Sequence, residues 1–207
     1  MSQRDDVSSL TLNRLSVYLR CLRQLQQDGE TRISSQDLAR RFHLSAAQIR
    51  KDLAQFGEFG IRGVGYQIDD LRRRLESLLG VDREHRVAIV GAGNLGTALA
   101  RFPGFNSDSF RVVAVLDNDP QKVGRKIAGH TVCHSRELPR LIPELGVQIG
   151  ILAVPAAAAQ ENYDALARAG VKAVLNFAPV QLETCSAVPT KSVDLMIFME
   201  ELSYFLR

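Results

Sequence analysis

Apolar residues along this chain follow two different periods. Leu15, Tyr18, Leu19, Leu22 and Leu25 recur at helical spacing and predict a helix over about 9–27, ended by Asp28-Gly29. Ser34 or Ser35 caps a short second helix that turns Leu38, Ala39 and Phe42 inward. His43-Leu44 makes a tight turn, and Ser45 caps a third helix through Phe56. Leu71, Leu75, Leu78 and Leu79 mark one more amphipathic helix over 69–79, with Arg72-Arg73-Arg74 on its solvated face. From residue 87 the pattern changes to short, solidly apolar runs at 87–90, 112–116 and 148–154, with a further short strand at 131–134. Helical stretches lie between them, at 97–102, 136–145 and 156–169. That alternation predicts an α/β fold with a doubly wound parallel sheet.

One stretch, 86–117, carries a specific chemistry. Val87-Ala88-Ile89-Val90 runs directly into Gly91-Ala92-Gly93-Asn94-Leu95-Gly96, then a helix, a second apolar run and Asp117. This is strand, glycine turn, helix, strand, acid. Gly91 allows the tight turn, Gly93 lets the backbone approach a pyrophosphate, and Gly96 lets the helix pack on the strand. The pyrophosphate then sits at a helix N-terminus, where free N–H groups and the dipole favour an anion. Asp117 follows Gly96 by 21 residues, near the ~20 expected for a carboxylate on the adenosine ribose. A carboxylate there favours NAD over NADP, although Arg111, Lys122 and Arg125 lie nearby. Ligands bind such sheets at the carboxyl ends of the strands. That expectation brings in Asn118, Ala153-Val154-Pro155 and Asn176-Phe177-Ala178.

The third helix sorts its residues by face. Ile49, Leu53 and Phe56 share the core side; Ala47, Lys51 and Ala54 lie opposite, flanked by Gln48 and Arg50. Two short helices joined by a turn suggest a helix-turn-helix, with Ser45, Gln48, Arg50 and Lys51 offered to a major groove. An ordinary amphipathic helix with a solvated basic face reads equally well from periodicity. The segment 57–66, with four glycines among Phe59, Ile61, Val64 and Tyr66, shifts the balance. It predicts a β-hairpin, the wing of a winged helix, with Arg62 placed for a minor groove and Gly63 and Tyr66 beside it.

Composition narrows the classes. The chain has 207 residues and a net charge of +3. Residues 1–80 hold 13 Lys/Arg against 10 Asp/Glu; the remainder hold 13 against 13, so the excess sits in the N-terminal part. That imbalance is weak support for nucleic acid. No run of about 18 apolar residues exists, so no membrane span is expected, and Ser2-Gln3-Arg4-Asp5-Asp6 does not look like a signal peptide. Cys21, Cys133 and Cys185 form no pair at metal or disulfide spacing, so no metal is expected and the cytoplasm is the natural compartment.

Gln48-Ile49-Arg50-Lys51-Asp52-Leu53, followed by Phe56-Gly57-Glu58-Phe59-Gly60-Ile61-Arg62-Gly63-Val64-Gly65-Tyr66, resembles the redox-sensing transcriptional repressor family Rex. The likeness covers nearly the whole chain. It implies a homodimer of winged-helix repressors that reads the NADH/NAD⁺ balance and binds a two-fold operator. The expected domains are 1–80 for DNA binding, 81–196 for the nucleotide and 197–207 for a C-terminal dimerisation helix. The resemblance implies that this last helix is exchanged between subunits, that 153–155 and 176–179 border the cofactor, and that Asp194 pairs either with Arg20 or with the nicotinamide side. Phe102 stands where some family members have Tyr, so a hydroxyl contact there is in question.

Two rival readings remain at this level. A small NAD-dependent dehydrogenase is disfavoured, because only about 125 residues remain for the nucleotide domain and His43, His85, His130 and His134 show no acid–base pairing. A repressor whose ligand is another adenosine compound, such as coenzyme A, is not excluded by the glycine motif.

Overall fold

A computed structural model describes residues 7–57, 59–60, 64–184 and 187–206, and the chain divides into two compact units, 1–82 and 83–207. Arg62 and Gly63 therefore lie outside the described residues.

In the first unit three of the four described helices start where a hydroxyl can satisfy a free N–H. Ser8 Oγ accepts from Thr11 N at the start of α1 (Ser9–Gln27), and Ser34 Oγ accepts from Asp37 N at the start of α2 (Ser35–Phe42). Helix α2 ends on His43 in a left-handed conformation, and Ser45 opens α3 (Ala46–Ala54). The third helix stops two residues short of Phe56. A fourth helix, α4 (Ile68–Leu79), ends on Gly80 with φ +69. Leu15, Leu22, Leu25, Leu38, Ile49, Leu53, Ile68 and Leu75 fill the centre of this unit at 2% exposure or less. Each contributes roughly 1.5–3 kcal/mol of burial.

Tyr66 pairs elsewhere than expected. Two short strands, β1 (Arg32–Ile33) and β2 (Tyr66–Gln67), form an antiparallel ladder with Ile33 opposite Tyr66. The partner of the glycine-rich segment's end is thus the stretch before α2. Among the described residues, no second strand of the expected hairpin is present.

The second unit is a seven-stranded sheet. Its strands are β3 (His85–Val90), β4 (Phe110–Asp117), β5 (Lys126–Ile127), β6 (His130–His134), β7 (Ile149–Leu152), β8 (Ala173–Asn176) and β9 (Thr190–Ser192). They stand in the order β5-β6-β4-β3-β7-β8-β9, all parallel except β5. Omitting the β5 edge, this is the doubly wound order in which the chain reverses direction between β3 and β7. Its crossovers carry α5 (Asn94–Arg101), α6 (Leu138–Glu144) and α7 (Ala156–Ala169).

Ala88, Val90, Ala114 and Leu116 pack with Leu138, Ile142, Tyr163 and Leu166 on one face; Val87, Ile89, Val112 and Val115 pack with Ala100 on the other. Val112 and Val115 share a face because the register between β3 and β4 slips at Val87/Ala88. Both faces are covered, which explains the solid apolar runs. A last helix, α8 (Leu195–Tyr204), follows. Among the described residues no helix is long and apolar enough to cross a membrane.

Candidate nucleotide cradle and recognition helix

The turn after β3 is built from three glycines with different duties. Gly91 has φ +106, and a Cβ there would stand 2.3 Å from Ala153 O. A Cβ on Gly96 would stand 1.7 Å from Gly91 O, so α5 packs directly on the turn. Gly93 differs: its φ is ordinary, and a Cβ would meet nothing within 4 Å. The bare backbone at Gly93 faces open space beside the first turn of α5, which no side chain caps. Helix α7 starts after Ala153-Val154-Pro155 and also lacks a side-chain cap. Both helices begin at the carboxyl ends of adjacent parallel strands, so two free helix N-termini share one edge of the sheet at the reversal point. That edge favours an anion, and the residues suit a dinucleotide's pyrophosphate.

Asp117 ends β4 with its side chain 7% exposed. Its carboxylate accepts from Ala92 N at 2.7 Å, Asp119 N at 2.8 Å and Lys122 Nζ at 3.2 Å. Burial pulls its pKa up, but those two backbone N–H groups and the ammonium outweigh it and hold the group below the usual range. Asp117 therefore fastens the glycine turn from the end of β4. Asn118 is exposed next to it.

Asn176 takes a different part from the one its position suggested. It is 0% exposed, donates to Ala178 O, Val180 O and Ser192 Oγ, and accepts from Ala178 N. Its amide is consumed in shaping the loop after β8 and in tying that loop to β9. Ala178 is buried with it and Phe177 is half-buried. This end of the sheet therefore does not present the Asn176 side chain, and Phe177 packs against the core on one face of the sheet.

In the first unit, Ser45 Oγ caps α3 by accepting from Gln48 N at 3.3 Å. Arg50 and Lys51 are exposed, and Arg50 Nη1 donates to Ser35 Oγ. Tyr66 was expected at the DNA, but its ring is 8% exposed and belongs to the core. Pairing with Ile33 turns Tyr66 inward.

Periodicity missed Asp52. It lies on α3 at 0% exposure and accepts from Arg14 Nε and Nη2, Tyr18 Oη and Gln48 Nε2. The Arg14 bonds, with those from Gln48 and Tyr18, overcome burial and hold its pKa below the usual range. The i, i+4 spacing of Gln48 and Asp52 was the only local signal; Arg14 is 38 residues away.

Arg20 is exposed on α1 and belongs to the first unit; Asp194 belongs to the second. Asp194 Oδ1 caps α8 by accepting from Met196 N at 2.9 Å. Leu195, Met196, Ile197, Phe198, Met199 and Leu202 are 52–64% exposed, so α8 carries a large uncovered apolar surface beside Glu200 and Glu201. Among the described residues no group of His, Cys, Asp and Glu could hold a metal.

A helix-turn-helix unit followed by a Rossmann-type unit with an open, uncapped anion cradle is the build of a ligand-responsive transcription regulator. The family model described as "CoA binding domain" matches residues 82–180, and "Putative DNA-binding protein N-terminus" matches 6–54. The redox-sensing transcriptional repressor Rex of Roseiflexus sp. (strain RS-1) is 41% identical over 206 residues, covering 100% of this chain and 94% of its own. Rex of Carboxydothermus hydrogenoformans is 44% identical over 201 residues, covering 97% of each. A crystal structure of RSP in complex with beta-NAD+ and operator DNA is 36% identical with a TM-score of 0.92, covering 97% of this chain and 92% of that one. RSP in complex with beta-NADH is 35% identical with a TM-score of 0.87, covering 97% and 94%. The chain belongs to the redox-sensing transcriptional repressor Rex family, and it is a regulator rather than an enzyme.

Proposed function

We propose that this protein is a cytoplasmic, homodimeric repressor that holds a two-fold operator and leaves it when NADH binds. The observation that carries the reading is the open cradle at Gly93, set between the uncapped starts of α5 and α7 on a chain that also holds an α3 with Arg50 and Lys51 exposed. Within the turn, Gly93, Asn94, Leu95 and Gly96 receive the pyrophosphate through backbone N–H groups, while Gly91 and Ala92, whose N–H groups are held by Leu116 O and Asp117, shape the floor of the site. Asp117, with Asn118 beside it, takes the adenosine ribose, and 153–155 and 177–178 border the rest. Ser45, Gln48, Arg50 and Lys51, with Arg62 and Gly63 of the glycine-rich segment, meet the operator. Helix α8, exposed and apolar, is buried in the dimer by exchange between subunits, and Arg20 and Asp194 serve the switch. The RSP complexes with beta-NAD+, beta-NADH and operator DNA support this assignment of ligands.

Coenzyme A is the second reading, favoured by the description of the family model over 82–180. Titrating NADH, NAD⁺, NADPH and coenzyme A into the protein–operator complex separates the two. Release by NADH at concentrations where coenzyme A has no effect is the expected result; release by coenzyme A alone would overturn the assignment.

A further inference from the structure

We infer that Asp52 is a positioning residue for operator recognition: with Arg14 and Tyr18 of α1 it fixes α3, and it holds the Gln48 carboxamide in one orientation. This rests on the reading of α3 as the recognition helix. The Asp52 carboxylate receives Arg14 Nε at 2.6 Å, Arg14 Nη2 at 2.8 Å, Tyr18 Oη at 2.9 Å and Gln48 Nε2 at 2.7 Å. A buried ion pair is a weak source of stability, because desolvation offsets the attraction. Its contribution is direction. Ile49 and Leu53 also hold α3 to the core, but apolar contacts are non-directional. A nine-residue helix is about 13 Å long. A tilt of ~10° would move its end by ~2 Å, beyond the tolerance of a hydrogen bond to a base edge. Bonds from two α1 side chains to one α3 carboxylate oppose that tilt.

The orientation of Gln48 follows from the same carboxylate. Ionised Asp52 only accepts, so the Gln48 nitrogen must face it. One amide hydrogen is spent there, and Oε1 is turned away as a free acceptor. In a major groove that acceptor matches an exocyclic amino group, on adenine or cytosine. Discrimination at the base step facing Gln48 then depends on Asp52, a residue that touches no DNA.

The test uses the full chain, a duplex it selects from a random-sequence pool, and a scrambled duplex. Affinity for both is measured across salt for the parent, Asp52→Asn, Gln48→Ala and the combination. A fourth variant, Arg14→Met with Tyr18→Phe and Asp52→Leu, removes the buried polar groups together and leaves no lone charge. The expected result is at least a tenfold fall in the selected-to-scrambled ratio for Asp52→Asn and for the triple variant. Scrambled affinity and salt slope should hold. Asp52→Asn and Gln48→Ala should flatten the same symmetric pair of base positions, with no further loss on combining them. A retained ratio in the triple variant would overturn the inference. So would equal losses for both duplexes, the mark of a merely structural residue. Failure of the parent to select any duplex would overturn the recognition reading and this inference with it.

Discussion

Gly93 and Gly96 lie three residues apart in one motif, yet their alanine variants should fail in opposite ways. A Cβ on Gly96 falls 1.7 Å from Gly91 O, and Gly91 itself is wedged against Ala153. Reaching ordinary carbon–oxygen contact of ~3.3 Å needs α5 to move by about 1.5 Å. Overpacking of this kind costs roughly 1–3 kcal/mol or more, at about 2–4 °C per kcal/mol for a chain of this size. Gly93→Ala adds a Cβ that meets nothing within 4 Å, at φ −75 where alanine is unstrained. Its effect on stability should stay within about 0.5 kcal/mol. If that open space is where a pyrophosphate lies against the backbone, however, the new methyl stands in its way, and NADH affinity should fall at least tenfold. Thermal unfolding and NADH titration by fluorescence, run on both variants, check this. Gly93→Ala binding NADH like the parent would refute the cradle; Gly96→Ala melting with the parent would refute the packing argument.

Three further outcomes follow from exposed or buried charge and from α8. Lys51→Ala should weaken operator binding about equally across sequences and reduce the salt slope by about 1, read from affinity against salt concentration. Asp117 has a pKa held low in the folded state, so its stabilisation is present above its unfolded value of about 3.9 and is lost as pH falls through the folded value. Urea unfolding should therefore show Asp117→Asn less stable than the parent at pH 7, with the gap closing in acid below about pH 4. Truncation before Leu195 should convert the dimer to monomer or aggregate in light scattering if the exposed apolar helix α8 is the surface proposed to pair subunits.

Sequence made the local devices legible and left the long-range ones hidden. The span of α1 and the Ser45 cap were readable because each depends on residues within one or two turns of chain, and the tight turn at Gly91 with close packing at Gly96 was readable from the glycine spacing itself. Strands β3, β4 and β7 were readable because both faces of the sheet are buried there. By contrast, β1 and β2 are two residues each, and their pairing joins Ile33 to Tyr66 across α2 and α3. Nothing near Tyr66 announced that partner, so its ring read as a groove contact when it is core. Asp52 was given no role because its charged and hydroxyl partners, Arg14 and Tyr18, lie 38 and 34 residues away. Asn176 stood at the right strand end, but its amide is spent on the loop beside it. Strand β9 (Thr190-Lys191-Ser192) has no apolar pattern at all, since it is a largely exposed edge.

Asp194 now has two candidate roles, and only one belongs to the switch. Its Oδ1 caps α8, so Asp194→Ala would lose about 0.5–2 kcal/mol of helix stability whatever else it did. A poor response in that variant would prove little. Asp194→Ser separates the roles, because serine is an equally good cap and carries no charge. A ligand shifts an equilibrium only by its differential affinity for the two states. If an Asp194–Arg20 pair exists in one state alone, removing the charge changes the gap between states without touching the cradle. Moving a two-state population from 1:99 to 99:1 takes about 5.5 kcal/mol, or ~2.7 for each of two NADH molecules in a dimer. A lost charge contact of ~1 kcal/mol per subunit is then a visible share of the switch. Asp194→Ser should dimerise and bind NADH like the parent, yet its operator release curve should differ at equal NADH occupancy. Coincident release curves would leave Asp194 as a helix cap and place the coupling elsewhere.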